Sequence, residues 1–141
     1  MSTPMSKLSS ILLVDDDKIT NFLNQLLLND LGIAEQVLTA ENGQEALRII
    51  QEQCEGSGCP GLILLDVNMP VMNGFEFLEA YEKMAFTRKQ SIIVIMLTTS
   101  LHPRDVKRLN GMPIQGFLNK PLTKAMIHEL VQKHFSAEPS I

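Results

Sequence analysis

The sequence predicts an α/β fold in which helices cover both faces of a parallel β-sheet. Two observations support this prediction. Short apolar runs alternate with segments of helical periodicity five times along the 141-residue chain, which is the pattern of a sheet built from strand–helix units. The runs are apolar at successive positions, which indicates strands buried on both faces. The length is that of one domain. We predict that residues 8–135 form it, between a disordered extension (residues 1–7) and a C-terminal tail (residues 136–141).

The first two strand–helix units are predicted within residues 11–50. Ile11–Val14 is a continuous apolar run, and it ends at three aspartates. The weaker strand Gln36–Ala40 follows the first helix, and Asn42-Gly43 starts the second helix. Gly32 is a typical C-terminal cap of the first helix. That helix is predicted from six apolar residues at helical spacing: Ile19, Phe22, Leu23, Leu26, Leu27 and Leu31.

The remaining elements are predicted from residue 62 onward. Three more apolar runs indicate strands, at Leu62–Leu65, Ile92–Leu97 and Ile114–Leu118. The third helix begins near Phe75 and the last one spans about residues 122–135. A short fourth helix is predicted around Pro103 to Leu109, where proline fits only the first turn.

The composition excludes several classes of function. The net charge is −4 and the basic residues form no stripe, so direct binding of nucleic acid is not expected. The first ten residues are too short and polar for a secretory signal, and no apolar run approaches the roughly 20 residues needed to span a bilayer. We therefore expect a cytoplasmic protein that does not interact with membranes.

Cys54 and Cys59 flank a glycine-rich segment that precedes the third strand. With no histidine nearby, they supply too few ligands for zinc. We expect two reduced thiols, because a disulfide across this loop would require an oxidising compartment.

Polar residues follow four of the five predicted strands. Asp15, Asp16 and Asp17 follow the first strand and Asp66 follows the third, while Thr98 follows the fourth and Asn119-Lys120-Pro121 the fifth. Ligands of such folds bind beyond the carboxyl ends of the strands. Clustered carboxylates repel one another, and Mg²⁺, which prefers oxygen ligands, removes this repulsion. A carboxylate can form an aspartyl phosphate, whose oxygens then need cationic and hydroxyl partners. We expect Asp17 to cap the following helix rather than to bind the metal.

Four stretches of the chain together resemble the receiver domain of two-component response regulators. They are ILLVDDD, LILLDVNMPVMNGFEFL, MLTTS and GFLNKPLT, in this order and each around a strand end. The resemblance covers nearly the whole chain. It implies a flavodoxin-like, doubly wound sheet of five parallel strands in the order 2-1-3-4-5, with five helices on both faces.

The resemblance also assigns the chemistry of the site. It implies that Asp66 is the phosphoacceptor and that Lys120 pairs with the phosphoryl oxygens. It implies that Mg²⁺ is the cofactor, held by Asp15, Asp16, Asp66 and the backbone carbonyl of Asn68.

Three further residues receive roles in the switch itself. Thr98 is the hydroxyl that reaches for the phosphoryl group, and Phe117 is the switch aromatic, which we also expect to be buried in the core. Pro121 follows a cis peptide bond in the family. Thr99 departs from the small residue usual after the switch hydroxyl, and we expect it to affect the lifetime of the phosphorylated state.

The function implied is that of a stand-alone response regulator. A sensor histidine kinase donates the phosphoryl group to Asp66, and the protein signals in trans to an unknown downstream protein through a changed surface. It is not expected to be an enzyme, although it promotes its own phosphorylation and dephosphorylation. The alternatives are a phosphorelay intermediate and a phosphorylation-independent interaction module. A phosphatase of the haloacid dehalogenase class is disfavoured, because Asn68 stands where that class needs a second acid.

Overall fold

The chain forms five strands and four helices within the residues that the computed structural model describes: 8–56, 59–67, 69, 72–84, 92–98 and 114–135. The strands are β1 (Leu8–Val14), β2 (Ala34–Ala40), β3 (Leu62–Asp66), β4 (Ile93–Thr98) and β5 (Gly116–Asn119). The helices are α1 (Lys18–Leu31), α2 (Gly43–Glu55), α3 (Gly74–Lys83) and α4 (Lys124–Phe135). Each element overlaps a segment for which the sequence pattern predicts the same type of structure.

The strands form one parallel sheet in the order β2-β1-β3-β4-β5, which confirms the predicted topology. The order reverses after β1, whose neighbours on the two sides are β2 and β3. The helix predicted around residues 103–109 lies outside the described residues, so four of the five predicted helices are described.

Successive residues of the central strands belong alternately to two hydrophobic clusters, one on each face of the sheet. In β1, Leu12 and Val14 belong to the cluster that includes residues of α2 and α3. Ile11 and Leu13 belong to the other cluster, with Leu28 of α1 and three residues of α4, Ile127, Leu130 and Val131. The continuous apolar character of the strands is thereby explained, because both faces are covered.

Helix α1 packs on the sheet through polar as well as apolar side chains. Asn21 Nδ2 donates to the backbone oxygens of Asp15 (2.8 Å) and Ala40 (3.3 Å), and Gln25 Nε2 donates to that of Val37 (3.1 Å). Asn21, Gln25 and Leu28 follow one another at i, i+4 and i+7 and therefore share one face of the helix. The two amide side chains thus hold this face against β1 and β2.

The opposite face of α1 exposes most of the apolar residues from which the helix was predicted. The exposed fractions are 70% for Ile19, 57% for Phe22 and Leu23, and 50% for Leu26. The amide hydrogen bonds explain this orientation, because a helix cannot turn both faces toward the sheet.

Residues flanking α1 cap it as predicted. The Asp17 carboxylate accepts hydrogen bonds from the backbone N–H groups of Ile19 and Thr20 and from the Thr20 hydroxyl. Gly32 ends the helix at φ 63°, a left-handed conformation that favours glycine. The N-terminal cap fixes where the chain turns away from β1, directly after Asp15 and Asp16.

The prediction of two reduced thiols is contradicted: Cys54 and Cys59 form a disulfide. Cys54 lies in the last turn of α2 and Cys59 precedes β3, and their two Cα atoms lie 4.2 Å apart. Residue spacing and compartment, on which the prediction relied, do not report this distance.

Among the described helices, none has both the length and the apolar character that crossing a membrane requires.

Candidate functional site

The site forms where β1, β3, β4 and β5 end at the same edge of the sheet. Asp15 follows β1 directly, and Asp66 and Thr98 are the last residues of β3 and β4. The parallel register aligns these ends, since Asp66 lies opposite Leu97 and Thr98 lies opposite Asn119. The structure therefore brings together residues that are up to 105 positions apart in the sequence.

Lys120 joins two of the predicted acids. Its Nζ atom lies 2.6 Å from Asp15 Oδ2 and 3.1 Å from Asp66 Oδ1. Both carboxylates are buried, and the lysine is largely buried as well. The backbone N–H of Lys120 donates to the carbonyl of Thr98 at 2.8 Å. This hydrogen bond holds the backbone of Lys120 beside the end of β4. Such hydrogen-bonded contacts between opposite charges are stronger than contacts at an exposed surface.

Three carboxylates lie close enough to bind one cation. One oxygen each of Asp15, Asp16 and Asp66 lies within 4.8 Å of the other two. Asp16 is exposed, whereas the other two residues are buried. With one lysine against three acids, the cluster carries an excess of two negative charges. Hard oxygen ligands with excess negative charge fit Mg²⁺. The Asn68 carbonyl, the fourth predicted ligand, lies outside the described residues.

The pKa values of the site reflect burial and crowding. Burial is the main cause that raises the pKa of Asp66; Lys120 opposes the rise, and the charges of Asp15 and Asp16 add to it. For Lys120, burial acts to lower the pKa, but hydrogen bonds and charges from Asp15 and Asp66 outweigh it, and the pKa is raised. The site thus destabilises the ionised carboxylate of Asp66 relative to the same group in water, and further positive charge would offset this effect.

Asp17, which was predicted only as a helix cap, and Asn21, which the sequence analysis did not assign, hold Asp15 in place. The backbone N–H of Asp17 donates to Asp15 Oδ1 at 2.9 Å, and Asn21 holds the Asp15 carbonyl as described above. Asn21 is buried on α1. The signal available in the sequence was the position of Asn21. It is a polar residue six positions after Asp15, on the side of the helix that faces the sheet.

Gly74 is a further residue whose importance was missed. Its backbone N–H donates to the carbonyl of Val67 at 2.9 Å. A Cβ atom added at Gly74 would lie 2.7 Å from the backbone oxygen of Asp66 and 3.1 Å from the Cα of Val67. Only glycine allows α3 to begin so close to the end of β3.

The residues assigned to the switch lie around the end of β5. The Lys120-Pro121 peptide bond is cis, as the resemblance implies. Thr98 is buried at the end of β4. Phe117, expected in the core, is instead 46% exposed on β5, because alternate side chains of this edge strand point away from the helices. Thr99 lies outside the described residues.

Comparison with known proteins gives a consistent family match. Residues 11–132 match the family model described as the response regulator receiver domain. The chain is 34% identical over 128 residues to the two-component response regulator 24 of Arabidopsis thaliana, a match that covers 91% of this chain and 84% of that protein. It is also 31% identical over 122 residues to the autoinducer 1 sensor kinase/phosphatase LuxN of Vibrio harveyi, covering 86% of this chain and 13% of the kinase.

A solved structure agrees in fold as well as in sequence. The crystal structure of a two component response regulator from Cytophaga hutchinsonii aligns with a TM-score of 0.81 at 31% sequence identity. The alignment covers 90% of this chain and 96% of that chain.

Proposed function

Because this chain belongs to the response regulator receiver domain family of two-component systems, we propose that it is a switch operated by phosphorylation of Asp66. The observation that carries the proposal is the buried contact of Lys120 with Asp15 and Asp66, beside a third carboxylate. A site of this kind places a nucleophile and compensating charges within reach of a single phosphoryl group.

The proposed reaction is transfer of a phosphoryl group from a phosphohistidine to Asp66. A carboxylate oxygen of Asp66 attacks phosphorus, the phosphorus–nitrogen bond of the donor breaks, and the released imidazole takes a proton from water. Lys120 already contacts Oδ1 of Asp66, so we assign the attack to Oδ2. The product is an aspartyl phosphate, and the chain acts as phosphoacceptor rather than as an enzyme with its own substrate.

The other site residues support this transfer by position and charge. Asp15, Asp16 and Asp66 are the residues that would hold Mg²⁺, which supplies positive charge to the phosphoryl oxygens when it is bound. The ammonium group of Lys120 faces the same oxygens. The hydroxyl of Thr98, at the end of the adjacent strand, is the group that we expect to reach for the phosphoryl group after transfer.

The proposed phosphodonor is a sensor histidine kinase. The chain resembles a region of about its own size within a protein named as a sensor kinase/phosphatase, so domains of this kind and kinases occur together. We propose that the phosphorylated protein then acts on a separate downstream protein, since a phosphoryl group favours one of two surface conformations.

The acceptor assignment is tested by incubating the protein with Mg²⁺ and acetyl phosphate, followed by intact-mass measurement. We expect one acid-labile phosphoryl group on the wild type, none on Asp66→Asn, and normal labelling of Asp17→Asn as the matched control. Labelling of Asp66→Asn equal to that of the wild type would refute the assignment. An unlabelled wild type would favour the phosphorylation-independent interaction module instead.

The switch role of Phe117 has its own test. The chain contains no tryptophan, so Phe117→Trp supplies a single fluorescent reporter at a half-exposed position. We expect its emission to shift to shorter wavelength on phosphorylation or addition of beryllofluoride, as the ring moves inward. Emission that stays unchanged while Asp66 is labelled would remove Phe117 from the switch.

A further inference from the structure

One peptide group joins Asp15 to Asp16, and Asn21 holds that group. The carbonyl of Asp15 belongs to this planar unit, and Asn21 Nδ2 donates to it at 2.8 Å. The same nitrogen donates to the carbonyl of Ala40, the last residue of β2, at 3.3 Å. Asn21 therefore ties the link between two of the three acids to the end of a neighbouring strand.

The backbone of Asp15 lies just beyond β1 and is held from both sides. Its N–H donates to the carbonyl of Ala40 at 3.0 Å, and its carbonyl accepts from Asn21. Because both groups are held, the direction in which the side chain leaves the backbone is fixed. The carboxylate can then meet two donors at once, which are the N–H of Asp17 at Oδ1 (2.9 Å) and the ammonium of Lys120 at Oδ2 (2.6 Å).

The surroundings of Asn21 determine which end of its amide faces the site. Two carbonyl oxygens require a donor, so the NH₂ group and not the amide oxygen lies against them. The amide oxygen is buried and has no hydrogen-bond partner in the described part of the chain, and the residue as a whole is only 5% exposed. A buried acceptor without a partner lowers stability. The benefit of the amide therefore lies in the groups that its NH₂ holds.

From these contacts we propose that Asn21 is a positioning residue of the metal site, which sets the affinity for Mg²⁺ through the peptide group between Asp15 and Asp16. The inference rests on the proposed function, because it takes the three clustered acids as the Mg²⁺ ligands. Removing a polar group that orients metal ligands typically weakens metal binding by about 10–100-fold. Since Asn21 acts through the backbone and not through a carboxylate, we expect a loss near the lower end, about tenfold.

Helix α1 also supplies a matched control. Gln25 lies one turn after Asn21 on the same face, and its Nε2 atom donates to the carbonyl of Val37 at 3.1 Å. The contact has the same chemistry, but Val37 lies three residues before Ala40, roughly 10 Å along β2 from the edge that carries the site. Loss of either amide weakens the contact between α1 and the sheet. Only loss of Asn21 releases the peptide group between the two acids.

Binding of Mn²⁺ tests the effect on the metal site without phosphorylation. Mn²⁺ shares the preference of Mg²⁺ for oxygen ligands, and electron paramagnetic resonance measures the free ion. We expect about tenfold weaker binding for Asn21→Ala and a change of less than about twofold for Gln25→Ala. Equal affinities of Asn21→Ala and the wild type, or an equal loss in Gln25→Ala, would overturn the proposal. Asp16→Asn should bind more weakly than the wild type; if it binds Mn²⁺ equally well, Asp16 is not a ligand and the proposal fails as well.

The Mg²⁺ dependence of phosphorylation separates positioning from chemistry. With acetyl phosphate as the donor, the Mg²⁺ concentration for half-maximal labelling of Asp66 should rise about tenfold in Asn21→Ala. The rate at saturating Mg²⁺ should stay close to that of the wild type. A lower maximal rate at an unchanged half-maximal concentration would contradict a positioning role. A wild type that binds Mn²⁺ but is not labelled would refute the phosphoacceptor assignment and leave the role of Asn21 intact.

Two further measurements guard against loss of the fold. Circular dichroism verifies that each variant is folded at the temperature of the titration. If Asn21→Ala is unfolded, Asn21→Leu fills the space of the amide without a donor, and the same tenfold loss is expected of it. In the wild type, the NMR signals of the Asn21 NH₂ group should shift on addition of Mg²⁺, whereas those of the Gln25 NH₂ group should not. Asn21 signals that stay in place while the metal binds would overturn the proposal.

Discussion

Replacing Asp66 by asparagine should stabilise the protein in the absence of divalent cations. The asparagine side chain keeps the shape of aspartate and an oxygen that can accept from Lys120, but it removes one of three crowded negative charges. Loss of a native side chain usually lowers stability, so an increase would be specific to the electrostatics of this site.

The magnitude follows from the distances around Asp66. At an effective dielectric constant of about 20, the contact with Lys120 at 3.1 Å contributes about 5 kcal/mol of attraction. Two carboxylates at up to 4.8 Å contribute at least about 7 kcal/mol of repulsion together. The repulsion therefore exceeds the attraction by about 2 kcal/mol. Burial of the ionised carboxylate destabilises it further. A rise in melting temperature of about 5 °C is expected for a domain of this size.

The pH dependence of this effect has a defined sign. The pKa of Asp66 is raised in the folded protein above its ordinary value of 3.8, so the native state takes up a proton more readily than the unfolded state does. The penalty is therefore present at neutral pH and disappears as the pH falls through the raised pKa. The difference in stability between Asp66→Asn and the wild type should shrink correspondingly at acid pH.

Thermal unfolding in EDTA and in increasing MgCl₂ measures these effects. Mg²⁺ should raise the melting temperature of the wild type and have less effect on Asp66→Asn, because a ligand of the folded state alone stabilises it. Asp17→Asn is the matched control. Hydrogen bonds from the Thr20 hydroxyl and the backbone of Ile19 and Thr20 lower the pKa of Asp17, so removing its charge should not stabilise the fold. A less stable Asp66→Asn at neutral pH in EDTA would refute the electrostatic reasoning.

Three further changes have expected outcomes. Gly74→Ala should lower the free energy of unfolding by about 1–3 kcal/mol in urea titrations, because its Cβ would approach the Asp66 carbonyl to 2.7 Å. Gly116→Ala, whose Cβ meets its nearest neighbour at 3.6 Å, should cost less and serves as the control. Asn21→Ala should cost about 1–3 kcal/mol in the same assay, since it leaves two buried carbonyls without its donor. Lys120→Ala should lower the melting temperature in EDTA and enlarge the rise produced by MgCl₂, because three carboxylates then lack their internal cation; an unchanged response to Mg²⁺ would contradict this.

The sequence was sufficient to predict the sheet and the composition of the site. Continuous apolar runs specify strands buried on both faces, and a parallel sheet places their carboxyl ends at one edge. Asp15, Asp66 and Lys120 could therefore be expected together before any distance was known. Their individual roles came from the resemblance to a family.

Predictions failed where side-chain orientation decides the outcome. Apolar spacing identifies α1 as a helix, but Asn21 and Gln25 determine which face meets the sheet, and hydrogen bonds to backbone carbonyls are not visible in apolar periodicity. Phe117 was expected in the core because aromatic residues are usually buried, yet it lies half-exposed on an edge strand. The disulfide was missed because the distance between Cys54 and Cys59, whose Cα atoms lie 4.2 Å apart, cannot be read from their spacing in the sequence.

That disulfide and Asp66 occupy opposite ends of the same segment. Cys59 lies three residues before β3, and Asp66 is the last residue of that strand. At about 3.3 Å per residue, the five buried residues of β3 span roughly 16 Å between these two ends. A covalent link engineered at Cys54 and Cys59 therefore acts at the edge of the sheet opposite to Asp66, and we expect it to leave the arrangement of Asp66, Asp15 and Lys120 unchanged.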